Sequence, residues 1–134
     1  MSIVWEDQYS VGVKEIDDQH RHFVGMLDRI TNSFYSGGTV VELEGAFKEL
    51  ISYAAFHFGT EEKYFRKFEY AGAKEHITEH RRIVVELERM EKENVRNHLE
   101  RTIELVDFLE DWLVGHLFEM DKRYTKCFNE HGLV

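Results

Sequence analysis

No proline occurs anywhere in the 134 residues of this chain, and glycine occurs only nine times. Proline breaks a helix because it lacks the backbone N–H and because its ring clashes with the preceding turn. Glycine weakens a helix through its conformational freedom. A chain with so few breakers is therefore expected to form long, uninterrupted helices.

Apolar side chains recur at spacings of three and four residues in four stretches, which is the period of an amphipathic helix. The stretches are marked by Phe23, Leu27 and Ile30, by Leu43, Phe47 and Leu50, by Val84 and Leu87, and by Val106, Leu109 and Leu113. Asp17 and Asp18 are expected to cap the first helix, and Gly37-Gly38 to end it. The capping box Thr39-Val40-Val41-Glu42 should start the second helix. We expect a break near Tyr70-Ala71-Gly72, and a fourth helix that begins at about Val95.

These helices predict an all-α fold. Because the predicted connections are short, consecutive helices should be antiparallel neighbours in an up-down-up-down four-helix bundle. Residues 1–134 are expected to form a single domain. Residues 1–16 show no sustained period and are expected to form an N-terminal arm, while the last helix is expected to be kinked or interrupted.

The charge of the chain excludes some partners. Its formal net charge of -9 opposes binding to nucleic acid or to an anionic membrane surface. No apolar run is long enough to span a membrane. The single cysteine, Cys127, fits a reducing compartment, so we expect a cytoplasmic location.

Each predicted helix carries side chains that can bind a metal ion on its otherwise apolar stripe. These are His20, then His57 and Glu61, then His76 and His80, and finally His116 and Asp121. A single histidine on such a stripe is usually a core residue with its own hydrogen-bond partner. Five histidines and two carboxylates on converging stripes would each need a partner, and few other polar side chains lie there. One shared metal cluster satisfies all seven.

Seven ligands exceed what one tetrahedral zinc ion uses, so the pattern predicts two ions. Nitrogen and oxygen ligands without a cysteine suit iron, manganese, zinc or cobalt. The chain contains no Glu-x-x-His motif, which the common di-iron carboxylate bundles carry on two helices. The site therefore differs from those bundles in being rich in histidine and poor in carboxylate.

The spacing of the last two ligands predicts a local irregularity. His116 and Asp121 are five residues apart, which on a regular helix separates them by about 140°. A kink or a single π-turn near Gly115 would bring them to one face.

Several features form one joint pattern that covers nearly the whole chain. They are Trp5, the segment Ile16-Asp17-Asp18-Gln19-His20, the segment His57-Phe58-Gly59-Thr60-Glu61-Glu62, the pair His76-x-x-x-His80 and the pair His116-x-x-x-x-Asp121. This pattern resembles the hemerythrin family, and specifically the bacterial hemerythrins. The resemblance implies a non-haem di-iron centre (Fe2+/Fe3+) that binds dioxygen reversibly.

Carried over position by position, the resemblance implies that His76, His80 and His116 bind one iron ion and that His20 and His57 bind the other. Glu61 and Asp121 would bridge the two ions, together with an oxo or hydroxo group. If each ion takes six ligands, one position stays open on the ion held by His20 and His57, and dioxygen would bind there.

The resemblance favours a binding protein rather than an enzyme. Such a protein would store oxygen, transport oxygen, or deliver oxygen to a client enzyme that consumes it. Oxygen sensing through a separate partner, turnover of peroxide or nitric oxide at the same site, and metal storage are the alternatives. The absence of a Glu-x-x-His pair and of an obvious proton donor argues against turnover, and the closed set of seven ligands argues against storage beyond two ions.

Other polar side chains are expected outside the site. We predict a surface position for His22, His98, His131 and Glu62. The same is predicted for Glu75 and Glu79, and the alternative for these two is that they accept a hydrogen bond from a ligand imidazole. Tyr64 and Tyr124 lie near enough to approach the site, but no phenol ligand is expected. The candidates to wall a dioxygen pocket are Phe23, Ile77, Trp112, Leu113 and Leu117.

Overall fold

A computed structural model of the chain describes residues 4–94 and 98–134, without the side chains of residues 40, 94, 98–103, 105, 117 and 118. Four long helices account for most of it: α1 (Lys14–Tyr35), α2 (Val40–Lys67), α3 (Ala73–Asn94) and α4 (His98–Gly115). A π-helical segment (His116–Met120), a 3-10 turn (Asp121–Tyr124) and the short helix α5 (Thr125–Glu130) follow α4, and a 3-10 turn (Asp7–Tyr9) precedes α1. The predicted start of the fourth helix near Val95 lies outside the described residues.

The four long helices form a closed bundle in which α1 packs on α2, α2 on α3, α3 on α4, and α4 back on α1. The links at residues 36–39 and 68–72 are too short to do more than reverse the chain, so sequential helices are antiparallel. The predicted all-α, up-down-up-down four-helix bundle is confirmed, including the N-terminal arm and the interrupted last helix.

Helix α1 begins earlier than predicted, at Lys14, so that the arm ends at Val13 rather than at residue 16. The prediction that Asp17 caps this helix is wrong. Asp17 lies inside the helix, and its carboxylate accepts hydrogen bonds from the Val11 N–H (2.8 Å) and the Ser10 hydroxyl (2.6 Å). An acidic side chain in the first turn of a helix thus fastens the arm instead of capping the helix.

The predicted signals at the next boundary are confirmed. Gly37 has a φ of 79°, a left-handed conformation that glycine adopts without strain, and it follows the end of α1. Thr39 and Glu42 form both hydrogen bonds of a capping box at the start of α2.

The core has two apolar clusters, one toward each end of the bundle. The larger includes Phe23, Leu50, Phe58 and Leu113, and the smaller includes Val11, Ile16, Phe65, Tyr124 and Phe128. Phe23 and Phe58 of the larger cluster, and Phe65 of the smaller, each pack their ring against a buried histidine. A layer of buried polar side chains therefore lies between two apolar clusters.

The arm holds the chain terminus against the bundle. The Thr125 hydroxyl donates to the Val11 carbonyl (2.6 Å), and the Asn129 side chain donates to the Gly12 carbonyl (3.1 Å). These contacts fix α5, and with it the irregular segment that precedes it. No helix in the described part of the chain has both the length and the apolar run needed to cross a bilayer.

Candidate metal centre

All seven side chains that the sequence singles out are buried together between the helices. Their exposed fractions are at most 5%, the value for His116. Helix α1 contributes His20, α2 contributes His57 and Glu61, α3 contributes His76 and His80, and the segments after α4 contribute His116 and Asp121. The structure thus brings together every residue that was predicted to bind metal.

Local helix geometry explains these placements. His57 and Glu61 are four residues apart, as are His76 and His80, so each pair lies on one face of its helix. His116 opens the π-helical segment, and Asp121 follows it directly. The wider turn of a π-helix brings two residues five positions apart to the same side, and the predicted irregularity is confirmed.

The seven side chains form two groups of potential ligands that share one member. The first group is Glu61, His76, His80 and His116, and the second is His20, His57, Glu61 and Asp121. Within each group the ligand atoms lie within 4.8 Å of one another. Two neighbouring groups of this size suit two metal ions with a shared carboxylate.

Asp121 also reaches both groups. Its Oδ1 lies 2.9 Å from His76 Nε2 and 2.5 Å from His116 Nε2, whereas its Oδ2 lies 3.0 Å from His20 Nε2. One carboxylate oxygen therefore faces the first group, which we call the three-histidine group. The other oxygen faces the second group, which we call the two-histidine group. This is the placement that a bridging carboxylate needs.

Glu61 faces both groups through a single oxygen. Its Oε1 lies 3.3 Å from His57 Nε2 and 3.1 Å from His80 Nε2. Its Oε2 accepts a hydrogen bond of 2.6 Å from the hydroxyl of Tyr124, which is fully buried. Tyr124 thus holds the carboxylate that faces both groups, and the prediction that it is not itself a ligand stays a prediction.

The spacing of the ligand atoms fits a metal cluster better than a set of hydrogen bonds. Glu61 Oε1, His80 Nε2 and both carboxylate oxygens of Asp121 are buried and find no well-aligned hydrogen-bond partner among the described residues. The Nε2 atoms of His20 and His57 are 3.0 Å apart. Two ligand atoms at right angles, each about 2.1 Å from one divalent ion, are separated by about 3.0 Å. The donor set therefore fits a pair of first-row metal ions.

The pKa values of the ligand groups shift in different directions, and the shifts of His57 and Asp121 suit metal binding. His116 differs, because the effect of burial, which would lower its pKa, is outweighed by the carboxylate of Asp121, which raises it. Burial lowers the pKa of His57, which keeps its imidazole neutral. Burial alone would raise the pKa of Asp121, but the adjacent His116, His20 and His76 outweigh it and hold that pKa well below its ordinary value. Neutral imidazole and ionised carboxylate are the forms that bind metal ions.

Two of the ligand imidazoles are also held from behind, on the nitrogen that faces away from the site. His57 Nδ1 lies 2.7 Å from Gln19 Oε1, and His80 Nδ1 lies 3.0 Å from Glu62 Oε2. Such contacts fix the tautomer and the orientation of a ligand ring. The prediction that Glu62 is a surface acid is wrong, because its side chain is only 21% exposed and contacts a ligand.

Most of the remaining acids and histidines that the sequence singles out lie away from the centre. Glu75 is exposed and faces Arg123 at 3.4 Å, as predicted for a surface acid. Glu79 pairs with Arg82, but its side chain is only 27% exposed, and its carboxylate is one of the charges that raise the pKa of His116. His22 is exposed beside Tyr53. His131 is also exposed and stacks on Phe68. The side chain of His98 lies outside the described residues. The hydroxyl of Tyr64 donates a hydrogen bond to Glu15 rather than to a side chain of the site.

The walls of the site are aromatic and apolar on the side of the larger cluster. Phe23, Trp112 and Leu113 line a small apolar cavity together with Leu27, Leu50 and Leu109. Phe23 packs edge-on against His57 (5.6 Å between ring centroids), and Trp112 stacks on His116 (4.6 Å). Of the other two predicted wall residues, Ile77 packs in the smaller cluster instead, and the side chain of Leu117 lies outside the described residues.

Comparison with known proteins agrees with this architecture. The family model of the hemerythrin HHE cation binding domain matches residues 11–127. A bacteriohemerythrin of Clostridium acetobutylicum is 28% identical over 126 residues, which covers 90% of this chain and 97% of that protein. A bacteriohemerythrin of Methylococcus capsulatus is 28% identical over 122 residues, covering 91% of this chain and 92% of that protein.

The similarity extends to solved structures. A crystal structure of wild-type hemerythrin has a TM-score of 0.82 to this chain at 27% identity, and the match covers 93% of this chain and 96% of that one. The family match spans most of the chain and includes all seven of the clustered side chains. The chain therefore belongs to the hemerythrin HHE cation-binding domain family, as the sequence pattern predicted.

Proposed function

We propose that this protein binds dioxygen reversibly at a non-haem di-iron centre, with an oxo or hydroxo bridge between the ions. His76, His80 and His116 would hold one ion, His20 and His57 the other, and Glu61 and Asp121 would be shared. Two ferrous ions would supply the electrons that dioxygen takes up on binding, and would recover them on its release.

The inequality of the two ligand groups carries this proposal. Three histidines converge on one group and two on the other, while both shared carboxylates face both groups. If both ions have six-fold coordination, the two-histidine ion has one position fewer filled by protein. An exogenous ligand such as dioxygen would complete the coordination of that ion.

The surroundings support reversible binding rather than turnover. Burial, followed by the nearby carboxylates of Glu61 and Asp121, raises the pKa of Tyr124 well above its ordinary value. Its proton is therefore held firmly and is a poor source for protonation of bound oxygen. Phe23, which packs against His57, and Leu113 form apolar walls that would keep water away from the ion of the two-histidine group. We accordingly propose a binding protein and not an enzyme.

The proposed role is storage or transport of oxygen, or its delivery to an oxygen-consuming enzyme. A cytoplasmic location is part of the proposal, because the single cysteine, Cys127, suits a reducing compartment. Sensing through a separate partner would use the same ligand binding, and oxygen-dependent capture of a signalling protein would distinguish it.

The test is a visible spectrum of anaerobically reduced, iron-loaded protein during exposure to oxygen and its removal. Iron is quantified in parallel. We expect two irons per chain, uptake of one dioxygen per two irons, and recovery of the reduced spectrum after oxygen is removed. Zinc-loaded protein, which fills the site without redox chemistry, is the control and should show no change. Direct conversion to the diferric spectrum without a reversible stage would refute the proposal.

A further inference from the structure

The two ligand groups differ in the chemistry that stands behind one histidine of each. In the two-histidine group, His57 Nδ1 faces the amide oxygen of Gln19, which is neutral. In the three-histidine group, His80 Nδ1 faces the carboxylate of Glu62, which is anionic. In both rings Nε2 faces the interior of the site beside Glu61. When the lone pair of Nε2 binds a metal ion, Nδ1 carries the proton and donates it backward.

The contact between Glu62 and His80 is well enclosed. The ring of Phe58 stacks flat on the imidazole of His80, with centroids 3.9 Å apart and planes within 11°. The carboxylate meets the ring at its Nδ1 edge, and both residues line a mainly apolar surface groove between α2 and α3 that also includes Val84 and Arg81. The ring is therefore held on its face by Phe58 and on its edge by Glu62, and the low polarity of the groove strengthens the hydrogen bond.

We propose that Glu62 is a positioning residue that acts through His80 and makes the ion of the three-histidine group the more tightly held of the two. An anionic acceptor at Nδ1 draws the imidazole proton and increases the electron density at Nε2, which strengthens the bond to a metal ion. The neutral amide of Gln19 does this less for His57. The inference rests on the two-ion site of the proposed function, but not on dioxygen.

Two variants separate the charge of Glu62 from its hydrogen bond. Glu62→Gln keeps an acceptor and removes the charge, whereas Glu62→Ala removes both. The matched control is Glu75→Gln. Glu75 is adjacent in sequence to His76, just as Glu62 is adjacent to Glu61. Its side chain, however, is 73% exposed and faces Arg123 rather than a ligand ring.

The first measurement is a titration of each metal-free protein with Co2+. Binding is monitored by calorimetry and by the visible spectrum of the bound ion. We expect two unequal binding steps in the wild type. Glu62→Ala should weaken the tighter step by about 10- to 100-fold. The affinity of the tighter step in Glu62→Gln should lie between those of the wild type and Glu62→Ala. The affinity of the weaker step should be unchanged in both variants, and Glu75→Gln should match the wild type at both steps.

The second measurement reports the contact itself. In Zn2+-loaded protein, which is diamagnetic, the Nδ1 proton of His80 should give a slowly exchanging imidazole resonance. It should persist in Glu62→Gln and be lost in Glu62→Ala, while urea unfolding of the metal-free forms shows whether each variant folds. A purely structural role would change unfolding without selectively weakening the tighter binding step.

Several results would overturn the inference. These are wild-type binding by both Glu62 variants, equal weakening in Glu75→Gln, weakening of the other step, or uptake of fewer than two Co2+ ions by the wild type. The proposal about dioxygen is tested separately: absence of reversible oxygenation, with the expected metal affinities intact, would refute that proposal and leave this one standing.

Discussion

Replacement of His20 by leucine should remove one metal ion from the site and leave the other. The change takes one ligand from the second group, which then keeps only His57, Glu61 and Asp121. The first group does not include His20 and keeps its four members. Leucine fills much of the same buried space without a polar atom, so the bundle itself should stay intact.

The size of the effect follows from linkage between metal binding and folding. With free metal about 1,000-fold above its dissociation constant, one bound ion stabilises the folded state by about 4.1 kcal/mol. For a chain of this length, 1 kcal/mol corresponds to a melting-temperature change of about 4 °C. We therefore expect His20→Leu to bind one iron per chain and, with excess metal, to melt roughly 16 °C below the wild type.

The matched control is His22→Leu, since His22 lies two positions further along α1 and is exposed beside Tyr53. It should retain two irons per chain and the wild-type melting temperature. Metal analysis and thermal unfolding, each with and without a chelator, give both numbers. Retention of two ions by His20→Leu, or an equal loss in His22→Leu, would refute the division of the ligands into two groups.

Three further substitutions test individual contacts. Tyr124→Phe leaves Glu61 Oε2 without its buried donor and should lower the unfolding free energy of the metal-free protein by about 2 kcal/mol in urea; no loss would contradict the supporting role of the tyrosine. The hydrogen bond to Glu15 raises the pKa of Tyr64 to about 12, so this contact stabilises the fold below the unfolded pKa near 10 and is lost as the pH rises through 12. Tyr64→Phe should therefore cost at most about 1 kcal/mol at pH 8 because the pair is exposed, and a difference from wild type that grew at high pH would exclude this assignment. Gly115→Ala should raise stability by about 0.5–1 kcal/mol in thermal unfolding without changing the iron content, because Gly115 has helical dihedral angles and nothing within 4 Å of an added Cβ; loss of iron would show that the π-segment needs the glycine.

The architecture and most of the seven clustered residues could be predicted because they depend on helical period. The stripes predict which faces of α1 to α4 are buried, and the capping box at Thr39 sets the start of α2. Residues four apart on one stripe must then converge between the helices, as His76 and His80 do. Even the π-segment was predictable, since five residues between two inward ligands do not fit a regular helix.

The start of α1 was predicted incorrectly because a local signal had a tertiary use. Aspartate is a favourable cap, and period alone gave no reason to begin the helix before Asp17. In the structure Val13 and Ile16 are fully buried, and their burial favours a helix that starts earlier. The carboxylate of Asp17 is then free to hold the Val11 N–H of the arm. This contact depends on where the arm lies, which the sequence pattern of α1 does not contain.

The residues that support the ligands from behind could not be predicted for a related reason. Glu62 is rotated by about 100° from Glu61 on the same helix, which normally directs a side chain to solvent. It reaches His80 because α2 and α3 pack closely enough for a carboxylate beside the seam to touch a ring on the other helix. Tyr124 follows the π-helical segment and ends the 3-10 turn, so its direction cannot be extrapolated from α4. Ligand positions thus follow from the period within each helix, whereas the contacts that tune the ligands follow from the spacing between helices, and that is why the asymmetry between Gln19 and Glu62 emerges only from the structure.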